Sequence, residues 1–337
     1  EHAGVSAATA SLVLNGKGEI SGATRERVMA AVKATNYVPR HARSRADSTN
    51  TLRFLKIARH GHTVNRDHNH FISDYIDGMS YEATRRDYAL QVVSHEGSDV
   101  TAIADSLRAE GPRGVVILGT ELSETDVCAL ARIGPPAVFI DTYHPLLDLS
   151  FVDMDNDQAV FAVLSHFAAR GLRRIGMVAS HTSVTNFALR RRAFDHGMAA
   201  LGLTVDERLI LSVDSTLEGA YRDGCAQLGS GSGGNADAQV AEAYFCANDI
   251  IAFGFMKALR ERGLSVPGDV SVAGFDNLPM AAMTDPGLTS INVPKQRIGA
   301  MAIRLLDDML IAKKPQPATK VLISGQLVSR GSVRAAS

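Results

Sequence analysis

Residues 243–273 read AYFCANDIIAFGFMKALRERGLSVPGDVSVA, and two short apolar runs in them flank one stretch of helical period. Ala243–Cys246 and Val270–Ala273 have the length and composition of buried strands, and Ile250–Glu261 repeats its apolar residues at helical spacing. Asn248 and Asp249 open that helix, so one of the two is expected to cap it. Outward from this unit the alternation continues. Leu90–Ser94, Val115–Leu118, Ala137–Ile140, Ile175–Val178 and Leu209–Val213 read as strands, and Asp99–Ala109, Asp157–Ala169 and Arg190–Leu201 as helices between them. That is too many strand–helix units for one sheet of ordinary size. Residues 52–337 are therefore expected to form two Rossmann-like lobes, each a parallel doubly wound sheet, with the chain crossing near 150–156 and 276–292. Ligands of such folds bind beyond the C-terminal ends of the strands, so the cleft between lobes is the expected site.

The chain has 337 residues, enough for more than one core, and carries a net charge of −1. The balance hides an asymmetry. Residues 1–60 hold ten Lys/Arg against four acids, a net of +6, which leaves −7 on the rest. A basic head on an acidic body is the footprint of a polyanion-binding module; a plain solvated basic face is the alternative on charge alone. No apolar run reaches the roughly 18 residues of a membrane span. No secretory signal opens the chain, and Cys128, Cys225 and Cys246 are odd in number and far apart. Together these predict a cytoplasmic protein with buried thiols and no membrane partner.

The head has the marks of two short capped helices. Ser6 is a good N-cap, Asn15-Gly16 a stop, and Ala10, Val13 and Leu14 make a narrow buried stripe. A second helix is expected from Ser21 to about Thr35, burying Val28, Ala31 and Val32, before Tyr37-Val38-Pro39 ends it. Two such helices cannot make a core alone, and Glu1-His2-Ala3 reads as the last turn of a third.

The stretch Ala3-Gly4-Val5-Ser6…Thr9…Ser11…Val13-Leu14-Asn15-Gly16, then Ser21…Thr24-Arg25…Arg27-Val28, then Asn36-Tyr37…Pro39, resembles the head of the lactose-repressor (LacI-type) family. The likeness continues through Phe139-Ile140-Asp141, Val152…Asp155-Asn156, Gly171-Leu172-Arg173-Arg174-Ile175, Cys246-Ala247-Asn248-Asp249, Val270-Ser271-Val272…Gly274-Phe275-Asp276 and Pro286…Leu288-Thr289. The resemblance implies an all-α helix-turn-helix head over 1–38, a hinge over 39–51 and a two-lobed, periplasmic-binding-protein-like α/β body. It implies a homodimeric transcriptional regulator, a repressor first of all, that binds double-stranded operator DNA under the control of a sugar-like effector. By position, Ala7, Ala8 and Leu12 match the base-reading places, and Ser6, Thr9, Asn15 and Thr24 match the phosphate-holding ones. Asp141, Arg190, Asn248 and Asp276 match the effector contacts, and Phe71 matches an aromatic that packs on the effector. Carboxylates, an amide and a guanidinium in a dry cleft suit the vicinal hydroxyls of a sugar.

Several departures follow. Ala and Leu cannot make bidentate base contacts, so thymine methyls and DNA shape are expected to carry more of the readout. In the hinge, Arg45 or Ala46 stands where the family has a minor-groove leucine; a minor-groove arginine and a plain basic linker both remain open. Val293 replaces the family's usual glutamine. The segment 58–70 is long and holds His60, His62, His68 and His70 with Arg59 and Arg66. It suits an anionic effector such as a sugar acid or sugar phosphate better than a metal site, which would need a further Cys or acidic partner. Gly229–Gly234 lacks the strand before and helix after that a dinucleotide loop requires. No nucleophile–base pair shows in the spacing, so neither enzyme nor cofactor is expected. A transporter's periplasmic sugar-binding protein is the rival reading; it shares the body but has no use for the head.

Overall fold

The computed structural model describes residues 4–6, 9, 13, 21–35, 50–59, 69–97, 99–228 and 240–335. In the head, α1 is Gly22–Thr35. It begins just past Ser21, whose carbonyl accepts from the Thr24 and Arg25 amides at 3.1 Å. Val28 is 2% exposed, and Ala31 and Val32 are half-buried, so the stripe read from the sequence is the inward one. Ser6 Oγ accepts from the Thr9 amide at 3.1 Å, the bond of an N-cap, and Thr9 and Val13 are helical.

The body then runs through β1 (Thr51–Ala58), α2 (Asn69–Arg85), β2 (Ala89–Glu96), α3 (Val100–Glu110), β3 (Gly114–Leu118), α4 (Glu124–Leu130), β4 (Ala137–Ile140) and β5 (Phe151–Met154). After β5 it enters a second lobe through α5 (Asn156–Ala168), β6 (Ile175–Ser180), α6 (Thr185–Ala200), β7 (Ile210–Val213), α7 (Leu217–Gln227), β8 (Ala243–Cys246), α8 (Asp249–Glu261), β9 (Ser271–Phe275) and β10 (Thr289–Asn292). It returns to the first lobe with α9 (Lys295–Ile311) and β11 (Lys320–Ile323), and ends in the second with β12 (Gln326–Val328). Each lobe holds a six-stranded sheet, ordered β11-β5-β4-β3-β1-β2 in the first and β12-β10-β9-β8-β6-β7 in the second. Every pair is parallel except β10 with β12. The central strands β3 and β8 are buried along their whole length, which is why they read as unbroken apolar runs; β5 (FVDM) and β9 (SVAGF) are buried as fully but carry Asp153 and Ser271.

Three details differ from the sequence reading. The chain passes between the lobes three times, at 154–156, 292–295 and 323–326, where two passages were expected. Residues 276–292 stay in the second lobe as a turn and β10; the passage follows at Val293-Pro294, because Ile291 is still paired with Phe275. The third lies in a short turn with no composition to mark it. The helix expected at Arg190–Leu201 starts at Thr185, five residues earlier. Its N-cap position is Val184, which has no side chain able to cap, so the usual start signal is missing.

Glycines set the approach of α9 to α2. A Cβ on Gly78 would overlap the Gln296 carbonyl oxygen, and one on Gly299 would overlap the Tyr75 carbonyl. Gly→Ala inside a helix ordinarily gains about 1 kcal/mol. Here the overlapped atoms are backbone and yield only if the two helices part. Gly78→Ala is expected to cost at least about 2 kcal/mol, read from the urea midpoint; a stabilised variant would show that the helices are not in that contact.

Candidate functional site

The five effector positions read from the sequence converge. Asp141 follows β4, Asp276 follows β9 and Asn248 follows β8, all at the C-terminal ends of parallel strands. Arg190 enters from α6 and Phe71 from α2. With Ile72, Thr120, Val184, Asn186 and Phe187 they line one void of about 510 Å³, its mouth included, between the lobes. The backbone is held in unusual shapes here: φ is +56° at Asp141, +107° at Asp276 and +49° at Asn277. Non-glycine residues in this region cost free energy and cluster where function over-determines them.

Asp141 is the better satisfied carboxylate. Its Oδ1 accepts from Tyr75 Oη at 3.2 Å and Asn186 Nδ2 at 3.0 Å, and its Oδ2 accepts from Thr120 Oγ1. Asn186 also donates to the Asp141 carbonyl at 3.2 Å. This amide is a cross-lobe contact, since it rides on α6 while Asp141 ends a strand of the first lobe. Asn156 Nδ2 donates to Asn186 Oδ1 at 3.1 Å, and Arg190 Nε donates to Asn156 Oδ1 at 3.1 Å, so one chain of polar contacts runs from Asp141 to Arg190.

The Arg190 guanidinium is buried and heavily used. It donates to the Ala247 carbonyl at 2.6 Å and to Met154 Sδ at 3.2 Å, and it lies 3.7 Å from Asp276 Oδ1. Its carbon sits 3.8 Å over the Phe275 ring centroid. Asp276 Oδ1 is fully buried and has no hydrogen-bond partner. A buried acceptor left open costs free energy unless a donor arrives. Burial pushes the Asp276 carboxyl up to about 6, with Arg190 and Lys295 pulling it down and Asp141 adding to the rise. Burial likewise raises Asp141, against the pull of its Thr120 hydrogen bond and of Arg190.

Two further carboxyls stand behind the cleft. Asp153 on β5 is wholly buried with neither oxygen in a hydrogen bond, and burial followed by the charge of Asp141 raises it well above the carboxylate range. Asn186 and the Met154 amide temper that rise without reaching hydrogen-bond geometry. The capping choice at 248–249 resolves cleanly. Asn248 Oδ1 accepts from the Ile251 amide at 2.9 Å, so Asn248 caps α8 and also lines the void. Asp249 turns inward instead, accepting from Ser290 Oγ at 2.6 Å and the Leu278 amide at 2.7 Å, and burial pushes it up to about 8.

Thr120 and Asn186 line this void, Tyr75 and Lys295 stand behind it against Asp141 and Asp276, and none of the four is read from the sequence. For Asn186 a signal existed. Had the helix start been placed at Thr185, Asn186 would have stood one turn before Arg190, on the same face.

For the head, Ser6, Thr9 and Thr24 stand at starts of helical segments, where hydroxyls and backbone N–H groups suit phosphate oxygens. Ala7, Ala8, Leu12, Asn15, Arg45 and Ala46 lie outside the described residues, as do 60–68 and 229–239. Among the described residues no three His, Cys, Asp or Glu gather as a metal site, and no helix is long and apolar enough to cross a membrane. Cys246 is buried and Cys128 and Cys225 half-buried, all as free thiols.

Comparison with known proteins yields matches along the whole chain. Residues 1–40 match the family model of bacterial regulatory proteins, lacI family, and residues 164–333 match that of the periplasmic binding protein-like domain. The HTH-type transcriptional repressor PurR of Photobacterium profundum is 29% identical over 336 residues, covering 98% of this chain and 96% of its own. The HTH-type transcriptional repressor CytR of Escherichia coli (strain K12) is 28% identical over 333 residues, covering 98% and 94%. Among solved structures, the lac repressor dimer bound to operator and the anti-inducer ONPF superposes with a TM-score of 0.76 at 22% identity, covering 99% of this chain and 97% of that one. The complex of the transcriptional regulator CelR with cellobiose gives a TM-score of 0.71 at 24% identity, covering 98% and 97%.

Proposed function

The chain belongs to the lacI family of bacterial regulatory proteins, and we propose that it works as a transcriptional repressor whose head holds operator DNA while its cleft takes a sugar-like effector. One observation carries the reading. A head of that family is joined, in one polypeptide, to a body whose Phe71, Asp141, Arg190, Asn248 and Asp276 all face a single void. PurR and CytR, which span both parts, are repressors, which favours this over a transporter's binding protein. The protein acts in the cytoplasm as a homodimer that presents paired heads to a near-palindromic site, and it binds rather than transforms its effector. The wall supplies carboxylates and amides for hydroxyls and two phenyl rings, Phe71 and Phe187, for an apolar sugar face.

The mechanism follows from where the contacts sit. An effector hydroxyl that donates to Asp276 Oδ1 completes an acceptor otherwise left open, and it does so on the second lobe. Asp141, Thr120 and Phe71 reach the same molecule from the first. Effector free energy is thereby spent on the spacing of the lobes, and a coupling of about 1–3 kcal/mol to the paired hinges is enough for regulation.

On effector charge the described wall speaks for a neutral sugar. It carries two carboxylates, and its one guanidinium already serves Ala247, Asn156 and Met154. An acidic effector, suggested by the basic and imidazole groups of 58–70, needs cations from that segment. Melting shifts with matched neutral and acidic sugars separate the two; a larger shift with the acid would establish the anionic class.

A gel shift with genomic fragments tests the function itself. Retention at low salt is expected, with affinity falling by about a thousandfold between 50 and 200 mM salt if some six phosphates are neutralised. If the chain retains no fragment at low salt, the regulator reading is wrong.

A further inference from the structure

Lys295 is a buried lysine outside the lining of the effector void. It is the first residue of α9, just past the Val293-Pro294 passage, and α9 packs on α2, β3, β4 and β5 of the first lobe. Its Nζ donates across the lobes to the Asp276 main-chain carbonyl at 2.8 Å. The same nitrogen lies 3.7 Å from Asp74 Oδ2 and 5.0 Å from the Phe71 ring centroid, both on α2. An ammonium has three donors and no acceptor, so a buried one has to be served by what surrounds it. Here the service comes from both lobes at once.

We propose that Lys295 is a positioning residue for the effector: it fastens the Asp276 main chain of the second lobe to the α2 surface that carries Phe71. In doing so it sets the spacing between the carboxylate and the ring that face the cleft from opposite lobes.

Three features make this more than a buried ion pair. Asp276 has a φ of +107°, which a non-glycine residue keeps only where its neighbours hold it. Its amide donates to the Ile291 carbonyl at 3.0 Å, and the Lys295 ammonium holds the carbonyl side. Without that second hold, the peptide after Asp276 keeps only the Asn277 amide's bond to Ser290 Oγ at 3.1 Å, and it can tilt about that bond and draw the carboxylate off the void. The contact also falls beside a passage between lobes, where a small rotation changes the relation of Phe71 to Asp276 most directly. The lysine charge further favours the ionised form of Asp276, the form that accepts from a hydroxyl.

The inference rests on the cleft being the effector site, and its test has an arm that needs neither effector nor DNA. Hydrogen exchange of the full chain is compared for wild type, Lys295→Met and Lys295→Arg. In Lys295→Met, amides of 275–278 are expected to exchange about tenfold faster or more while those of 243–246 keep the wild-type rate. Lys295→Arg, which keeps charge and donors, is expected to stay close to wild type. In the second arm, melting shifts with glucose, galactose, ribose, cellobiose and adenosine are titrated. Any compound that stabilises the wild type is expected to bind Lys295→Met about tenfold more weakly or worse, and to recover in Lys295→Arg. Wild-type exchange at 275–278 in Lys295→Met would overturn the proposal, and so would a uniform acceleration along the chain. Failure of the regulator reading shows instead as a lost gel shift, with the exchange pattern still standing.

Discussion

An Arg190→Leu variant is expected to lose about 3–5 kcal/mol of stability, the cost of breaking a buried charge pair from one side. The leucine fills part of the volume and keeps contact with Phe275, so the loss is not a cavity effect. What disappears is a guanidinium that serves Asn156, the Ala247 carbonyl and Met154 and stands 3.7 Å from Asp276. The Ala247 carbonyl and Asn156 Oδ1 lose a donor, and Asp141 and Asp276 lose the cation that opposes their burial. Urea unfolding of the purified variant measures the cost. The melting shift with effector is expected to vanish, while operator retention persists in the cold, because the head makes no use of Arg190. A loss below about 1 kcal/mol would mean that the polar chain from Asp141 to Arg190 is not a stabilising unit.

The second large effect comes from Asp276→Asn, and it has opposite signs for stability and for binding. Burial holds the native carboxyl at about 6, above the unfolded carboxylate range, so the native state keeps a proton that the unfolded state has released. A group raised in this way contributes stability that is fully present below the unfolded value near 4. That contribution is lost as pH rises through about 6. The variant has no such proton to lose. The difference in unfolding free energy, variant minus wild type, is therefore expected to move in the variant's favour by on the order of 2–3 kcal/mol between pH 4 and pH 7. His166, pushed down to about 4 by burial, titrates in the same window with the opposite slope, but it is common to both chains and cancels in the difference. A flat difference across that range would show that Asp276 is ionised throughout. Effector affinity is expected to fall at least about a hundredfold at pH 7, since an amide donates where the hydroxyl needs a charged acceptor. Stability gained and binding lost at one position is the mark of a group kept for function.

Much of this was legible from one strand–helix–strand stretch. The apolar runs at 115–118, 137–140 and 243–246 match β3, β4 and β8 because a strand buried on both faces has no polar alternation to obscure it. Short or mixed strands are harder to read: β1 (TLRFLKIA), β5 (FVDM), β10 (TSIN), β11 and β12 carry polar residues and do not stand out as apolar runs, whether they lie inside a sheet or at its edge. Arg190 comes only from its position match to the family the sequence resembles. Its setting, one turn past Asn186 inside a longer helix, was hidden by an uncapped start at Val184.

By itself the sequence determined the basic head, the Ser6 cap, the two-lobed body and the residues that meet in the cleft. These rest on local periodicity, on side chains that cap helices within three residues, and on motif order along the chain. Only the tertiary structure decided which polar groups are satisfied and which stand open. The Asn186 bridge to Asp141, the open Asp276 Oδ1 and the lysine tie from α9 join residues 19 to 45 positions apart, or join a residue to no partner at all. Their free energy depends on burial and on lobe spacing. Neither quantity exists until distant segments have packed.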